Sequence, residues 1–180
     1  MWQESSDMKK ILILLLALLL LTGCGAPAAE TQEAEVLGDG AYTCTLSISC
    51  ATVLDNMDLL DEEKAELIPA DGWLLQPVTV AFDEGESVFD ALLTVAQTQK
   101  LHMEYMDAPL YGSAYIEGIA NLYEFDCGPL SGWMYSVNGQ FPNFGCSKYA
   151  LKDGDTVAWV YTCDLGADVG DANSGQMMPE

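Results

Sequence analysis

The sequence predicts an α+β fold, a mixed β-sheet with one main helix packed on one face. Three observations carry this. Cys44, Leu46, Ile48 and Cys50 alternate with Thr45, Ser47 and Ser49, the two-residue period of a half-buried strand. Val88, Leu92 and Val95, beside Phe89, Leu93 and Ala96, recur three and four residues apart, as on the buried face of a helix. Beyond that helix the chain returns to short β-like runs. Two opening strands, a helix across them and several further strands make the layout of a β-grasp.

Each element can be justified in order. Lys9 and Lys10 precede an unbroken apolar run, Ile11–Leu21, which ends at Leu21-Thr22-Gly23-Cys24. Charge, a short apolar core and a small residue before the cut make a secretory signal. The core is shorter than the roughly 20 residues a spanning helix needs. LTGC resembles the lipobox of bacterial lipoproteins, whose cysteine is lipidated and becomes the mature N-terminus. Met8 is the more natural start, which makes Met1–Asp7 an upstream extension. The expected organisation is a lipoprotein signal peptide at 1–23, the lipidated Cys24 with a flexible tether to residue 40, a folded domain at 41–163, and an acidic, disordered tail at 164–180.

Within the domain, Asp58–Leu67 reads as a short acidic surface helix, Asp71-Gly72 as a turn and Val78–Phe82 as a second strand. Ser87 precedes the apolar helical pattern with Asp90 three residues on, a helix cap with an acid in the first turn. The helix is expected from Val88 to about Lys100. His102–Tyr105, Ala114–Ile119, Gly132–Val137 and Val157–Thr162 read as strands. Asn138-Gly139 and Asp153-Gly154 mark tight turns.

Composition excludes several functions. The formal net charge is −22, with all six cations lysine. Removing residues 1–23 takes away two lysines and two acids and leaves this charge unchanged. Nucleic-acid binding needs cations to displace phosphate counterions, so nucleic acid is not an expected partner. Any membrane contact is expected through acyl chains on Cys24 only. Five further cysteines, Cys44, Cys50, Cys127, Cys146 and Cys163, are an odd number, without CxxC spacing. That argues against a zinc site or a redox motif. Export permits disulfides. A Cys44–Cys163 bridge is one expectation, because the first and last strands of a β-grasp are neighbours. A Cys127–Cys146 clamp at the base of the hairpin between them is another; reduced thiols acting as small core residues are the alternative.

Four blocks in order, GESVFDALLTVAQ, YIEGIANLYEF, GWMYSVNGQFPNFG and YALKDGDTVAWVYT, resemble the bacterial DUF4430 family. That family is similar to the C-terminal β-domain of transcobalamin and intrinsic factor. The resemblance implies a ubiquitin-like β-grasp. It also implies a ligand-facing surface on the aromatic hairpin, since in the B12 carriers this domain closes over the corrinoid against a larger helical domain. No such helical domain fits within this chain.

Trp133 and Tyr135 share one strand face, and Phe141 and Phe144 follow the turn. Flat rings beside Gly132 and Gly145 suit stacking on a large planar ligand; in strands such rings also serve as ordinary packing. Tyr115, between Tyr111 and Tyr123, is a further candidate contact, or a half-buried tyrosine with a wet hydroxyl. His102 is the only histidine. An imidazole can ligate a transition metal, but a single histidine beyond a helix reads more simply as a surface residue. Asp164, Asp168 and Asp171 lack the EF-hand pattern, and Asp61-Glu62-Glu63 reads as a solvated face. No cofactor, metal or catalytic residue is expected.

The expected function is that of a ligand-binding module, not an enzyme. It would be anchored to the outer face of the bacterial cell membrane and capture a corrinoid or similar bulky small molecule for a membrane transporter component. The alternative is a cell-surface domain that binds protein or glycan.

Overall fold

The computed structural model describes residues 35–108 and 112–172. The expected signal peptide, Cys24, Tyr111 and the end of the tail lie outside the described residues.

Strand β2 (Tyr42–Ser49) runs through the middle of a five-stranded mixed sheet. It pairs antiparallel with β3 (Trp73–Phe82) and parallel with β8 (Thr156–Thr162). β7 (Gly132–Val137) lies antiparallel outside β8, and β1 (Val36–Leu37) lies parallel outside β3. A second antiparallel sheet joins β4 (Met103–Ala108), β5 (Ser113–Ile119) and β6 (Leu122–Tyr123). The arrangement is mixed α+β with one main helix, as expected. The separate small sheet is not in the sequence reading, which lists its strands without assigning their partners.

That helix, α2 (Val88–Gln99), begins where the cap predicts. The Ser87 hydroxyl accepts from the Asp90 amide at 3.3 Å, and the Asp90 carboxylate accepts from the Ser87 amide at 2.8 Å. This satisfies two backbone donors reciprocally. The helix stops at Lys100, which turns left-handed at φ 55°. Val88, Ala91, Leu92 and Val95 are buried against Leu46, Ile48, Val80, Phe82 and Trp159 of the large sheet and Ile116 and Ile119 of the small one. Each large apolar side chain so buried contributes about 1.5–3 kcal/mol. A second cluster gathers Cys50 and Val53, at the short helix α1 (Ala51–Leu54), with Leu60, Leu122, Cys127, Tyr161 and Cys163. Leu74 and Trp133 pack against both clusters.

The two predicted turns meet. Asn138 donates from Nδ2 to Asp155 Oδ1 at 2.8 Å and accepts from the Thr156 amide at 2.9 Å. Asp155 also accepts from the Lys152 amide at 3.0 Å. Asn138 and Gly139 both take positive φ, 52° and 76°, the condition that favours Asn-Gly in a tight turn.

Three expectations need correction. The tether does not stay free to residue 40: Val36 and Leu37 pair with Thr79 and Val80, and Leu37 is buried in the main cluster. The tail is built into the domain as far as residue 172. Asp168, within a helical turn at Ala167–Val169, accepts from the Thr162 hydroxyl and from the Cys163 amide at 2.7 Å. The acidic segment Asp58–Leu67 forms only a 3₁₀ turn, Glu62–Leu67.

Leu92→Ala leaves a cavity where helix and sheet meet and should lower unfolding stability by about 2–5 kcal/mol. Urea unfolding measures this; a change below 1 kcal/mol would show that the helix is not docked by this face.

Candidate functional site

Trp133 and Tyr135 do share a face of β7, on which Trp133 is half-buried and Tyr135 buried. Trp133 lies edge-on to Tyr161 with centroids 5.2 Å apart, and its Nε1 donates to the Leu122 carbonyl at 2.9 Å. Tyr135 is 8% exposed, packs against Trp159 at 5.5 Å and donates its hydroxyl to the Phe144 carbonyl at 2.8 Å. Phe144 stacks on Tyr149 at 6.0 Å, and Tyr149 meets Tyr135 edge-on. The hairpin aromatics are therefore a ladder from surface to core, of which Phe144 is the exposed end. Phe141 is half-buried. Tyr115 is exposed on the small sheet and donates its hydroxyl to Glu124.

Among the described residues, two open grooves lie along the seam between α2 and β4. One open groove, of about 490 Å³, is lined by Leu93, Ala96, Leu101, Met103 and Tyr105, with Lys100 and His102 at its polar margin. A second, of about 280 Å³, is lined by Phe89, Asp107, Ala108, Ser113, Ala114 and Ser147. Phe89 and Tyr105 meet edge-on, 4.8 Å between centroids, and join the two grooves.

Local structure fixes the polar margins. His102 Nε2 lies 2.8 Å from the Tyr123 hydroxyl and 3.1 Å from Glu104 Oε1. Hydrogen bonds from Tyr123 and His102 hold the Glu104 carboxyl below its ordinary range. Lys64 lies over the Tyr123 ring, 4.8 Å from its centroid, and pairs with Asp126 at 3.3 Å. In the second groove the Ser113 and Ser147 hydroxyls are 2.8 Å apart. A Cβ on Gly145 would stand 2.1 Å from Ser113 Oγ, so only glycine allows this approach.

Sequence reasoning missed these grooves, although a signal for them exists. Val88, Leu92 and Val95 are fully buried, whereas Phe89 and Leu93, the second apolar ladder of the same helix, are only partly covered. The helix carries more apolar surface than its core face uses.

The predicted cysteine pairs are not brought together. β2 and β8 are neighbours, but they run parallel with Thr45 opposite Thr156. Cys44 thus sits at the beginning of the β8 ladder and Cys163 beyond its end. Cys127 and Cys146 belong to different clusters. All five described cysteines are buried free thiols, and burial pushes Cys44, Cys50 and Cys146 up to about 11. Among the described residues no three His, Cys, Asp or Glu gather as a metal site, and no helix is long and apolar enough to cross a membrane.

The chain thus presents an α+β domain with an amphipathic seam. Residues 85–163 match the model of a domain of unknown function, DUF4430, as the four sequence blocks anticipate. Residues 8–24 match the prokaryotic membrane lipoprotein lipid attachment site, which implies a membrane-anchored extracytoplasmic protein. No curated protein matches the chain. Among solved structures it is similar to haptocorrin in complex with Cbi, at 11% identity and a TM-score of 0.46, over 69% of this chain and 26% of that one. It is also similar to a candidate metal binding protein from Ruminococcus gnavus ATCC 29149, at 12% identity and a TM-score of 0.40, over 68% of this chain and 97% of that one. The chain spans about a quarter of the haptocorrin chain it matches.

Two measurements test these assignments. Trp133→Phe should cost about 1 kcal/mol, for the lost hydrogen bond, and Trp133→Ala about 3–5 kcal/mol. Equal stability of all three proteins in urea would return Trp133 to the surface. Burial raises the hydroxyl pKa of Tyr135 and of Tyr161. Because the folded values lie above the unfolded value of about 10, this contribution to stability is complete below that pH and lost as pH rises through the folded values. Alkaline titration should therefore show these two tyrosines ionising together with loss of near-ultraviolet dichroism.

Proposed function

We propose that this protein is a lipid-anchored binding module on the outer face of the cell membrane. Its domain is a β-grasp that holds a bulky, flat small molecule of the corrinoid class along the seam between α2 and β4. The observation that carries the reading is the Phe89–Tyr105 pair, which joins two open grooves with apolar walls and polar margins. Such a surface offers ring faces and aliphatic side chains to a large planar ligand, and donors and acceptors to its periphery. The resemblance of the four sequence blocks to the β-domain of the B12 carriers supports the ligand class.

The mode of action is capture by burial, without covalent chemistry. Tyr105 and Phe89 cover one ligand face; Lys100, His102 and Ser147 address polar substituents. The hairpin residues Trp133 and Tyr135 pack against Tyr161 and Trp159 and have no part in this seam. Release to a membrane transporter component would then need only competition for the same ligand face. A second reading, a protein partner, is favoured by Phe125, whose ring is 62% exposed on a residue held at φ 70°.

The test is titration of the full lipidated chain in detergent with cobinamide and cobalamin, followed by visible absorbance and calorimetry. Saturable binding is expected, weakened at least tenfold in Tyr105→Ala, a difference of about 1.4 kcal/mol, and unchanged in Tyr115→Ala. No heat and no spectral change at millimolar ligand would remove the corrinoid reading. Weakening by Tyr115→Ala alone would move the site to the outer face of the small sheet.

A further inference from the structure

We propose that Cys127 and Cys163 form an intramolecular disulfide that staples the loop after β6 to the end of β8. Their sulfur atoms lie 3.3 Å apart in the second apolar cluster, and closing to a bond of about 2.05 Å requires only a small movement. Both backbones are already fixed. The Cys127 amide donates to Ser131 Oγ at 3.1 Å, and Ser131 accepts from the Tyr161 hydroxyl at 2.9 Å. The Cys163 amide donates to Asp168 at 2.7 Å. Hydrogen bonds thus hold both segments beside each other while the two sulfur atoms close.

The pairing leaves three of the five described cysteines over. Cys44 and Cys146 lie in the main cluster, away from this pair, and Cys50 is fully buried at the start of α1. These three serve as small core residues. The lipid attachment site sends the chain out of the cytoplasm, where disulfides persist.

The bond requires an oxidant, which we assign to the class of protein or small-molecule disulfides outside the cytoplasm. The thiolate of one cysteine attacks the oxidant's disulfide, and one oxidant thiol leaves. The thiolate of the other attacks the resulting mixed disulfide, and the second oxidant thiol leaves. Two protein thiols lose two electrons and two protons; one disulfide of the oxidant gains them. Burial pushes Cys163 up to about 12 and raises Cys127 as well, so in the finished fold both are protonated and slow to react. Exchange therefore belongs to folding, before the cluster closes.

The experiment is to refold the reduced, full lipidated chain in detergent with oxidised and reduced glutathione, then alkylate and map the peptides. Chymotrypsin is added to trypsin because no lysine separates Cys127 from Cys146. The expected result is a linked peptide pair containing Cys127 and Cys163, the loss of two alkylatable thiols and two hydrogens, and a melting temperature about 10 °C above that of the dithiol form. Cys44→Ser and Cys50→Ser should retain the linked pair. Free thiols throughout, glutathione adducts on Cys127 or Cys163, or a bridge through Cys44, Cys50 or Cys146 would each overturn the proposal. The mapping is read on the unsubstituted chain and does not depend on any variant folding.

Discussion

A parallel strand pair cannot be closed by a hairpin, so the chain between β2 and β8 has to leave the sheet and return to its starting edge. Here the first long strand pairs with the last, and everything between them is arranged by that requirement. β3 returns antiparallel beside β2 after α1 and the 3₁₀ turn, α2 crosses a face of the sheet, and the small sheet β4–β6 forms on the way back. β7 then enters beside β8 as its antiparallel neighbour. The same polarity separates Cys44 from Cys163 and brings Cys163 to the end of the molecule where Cys50 and Cys127 lie. A parallel register is therefore responsible both for failure of the pairing suggested by strand adjacency and for proximity of the pair that does meet.

The crossing helix has to serve two neighbours at once. Its Val88, Leu92 and Val95 stripe meets the large sheet, and Ile116 and Ile119 of the small sheet close the same cluster. The adjacent stripe, Phe89 and Leu93, faces β4, which among the described residues is an edge strand paired with β5. Phe89 reaches Tyr105, but the contact is edge-on and local. Open space remains on both sides of it. The grooves are thus a consequence of topology, because a helix packed on one sheet and flanked by the edge of another cannot bury its second stripe completely.

Local signals in the sequence foretell local structure well. The Ser87–Asp90 cap, the Asn138-Gly139 turn and the apolar periods of β2 and α2 all depend on residues within a few positions of one another, and each lies where it is expected. What sequence could not supply is which partner a face meets. Trp133 and Tyr135 have the same period whether they face ligand or core; only the position of Leu122, Tyr161 and Phe144 decides for the core. Val36 and Leu37 are too short a run to read as a strand, and they become one because the edge of β3 is open to them. Asp168 looks like one acid of a tail until the Thr162 hydroxyl and the Cys163 amide are found donating to it.

The strong negative charge bears on the seam as well. With 28 acids against six lysines, the field around the domain favours the approach of neutral or cationic ligands and resists anions. Lys100 places one of the few cations at the margin of the larger groove, a local donor within an otherwise acidic surface. Open grooves bury only part of a large ligand, so affinity at the seam is limited by area left in water. On the proposed function, anchoring would offset that limit without any new contact, because a module held at the membrane would keep a weakly bound ligand near the next acceptor at high effective concentration. On that reading, modest affinity and fast release would serve capture and transfer better than a closed pocket.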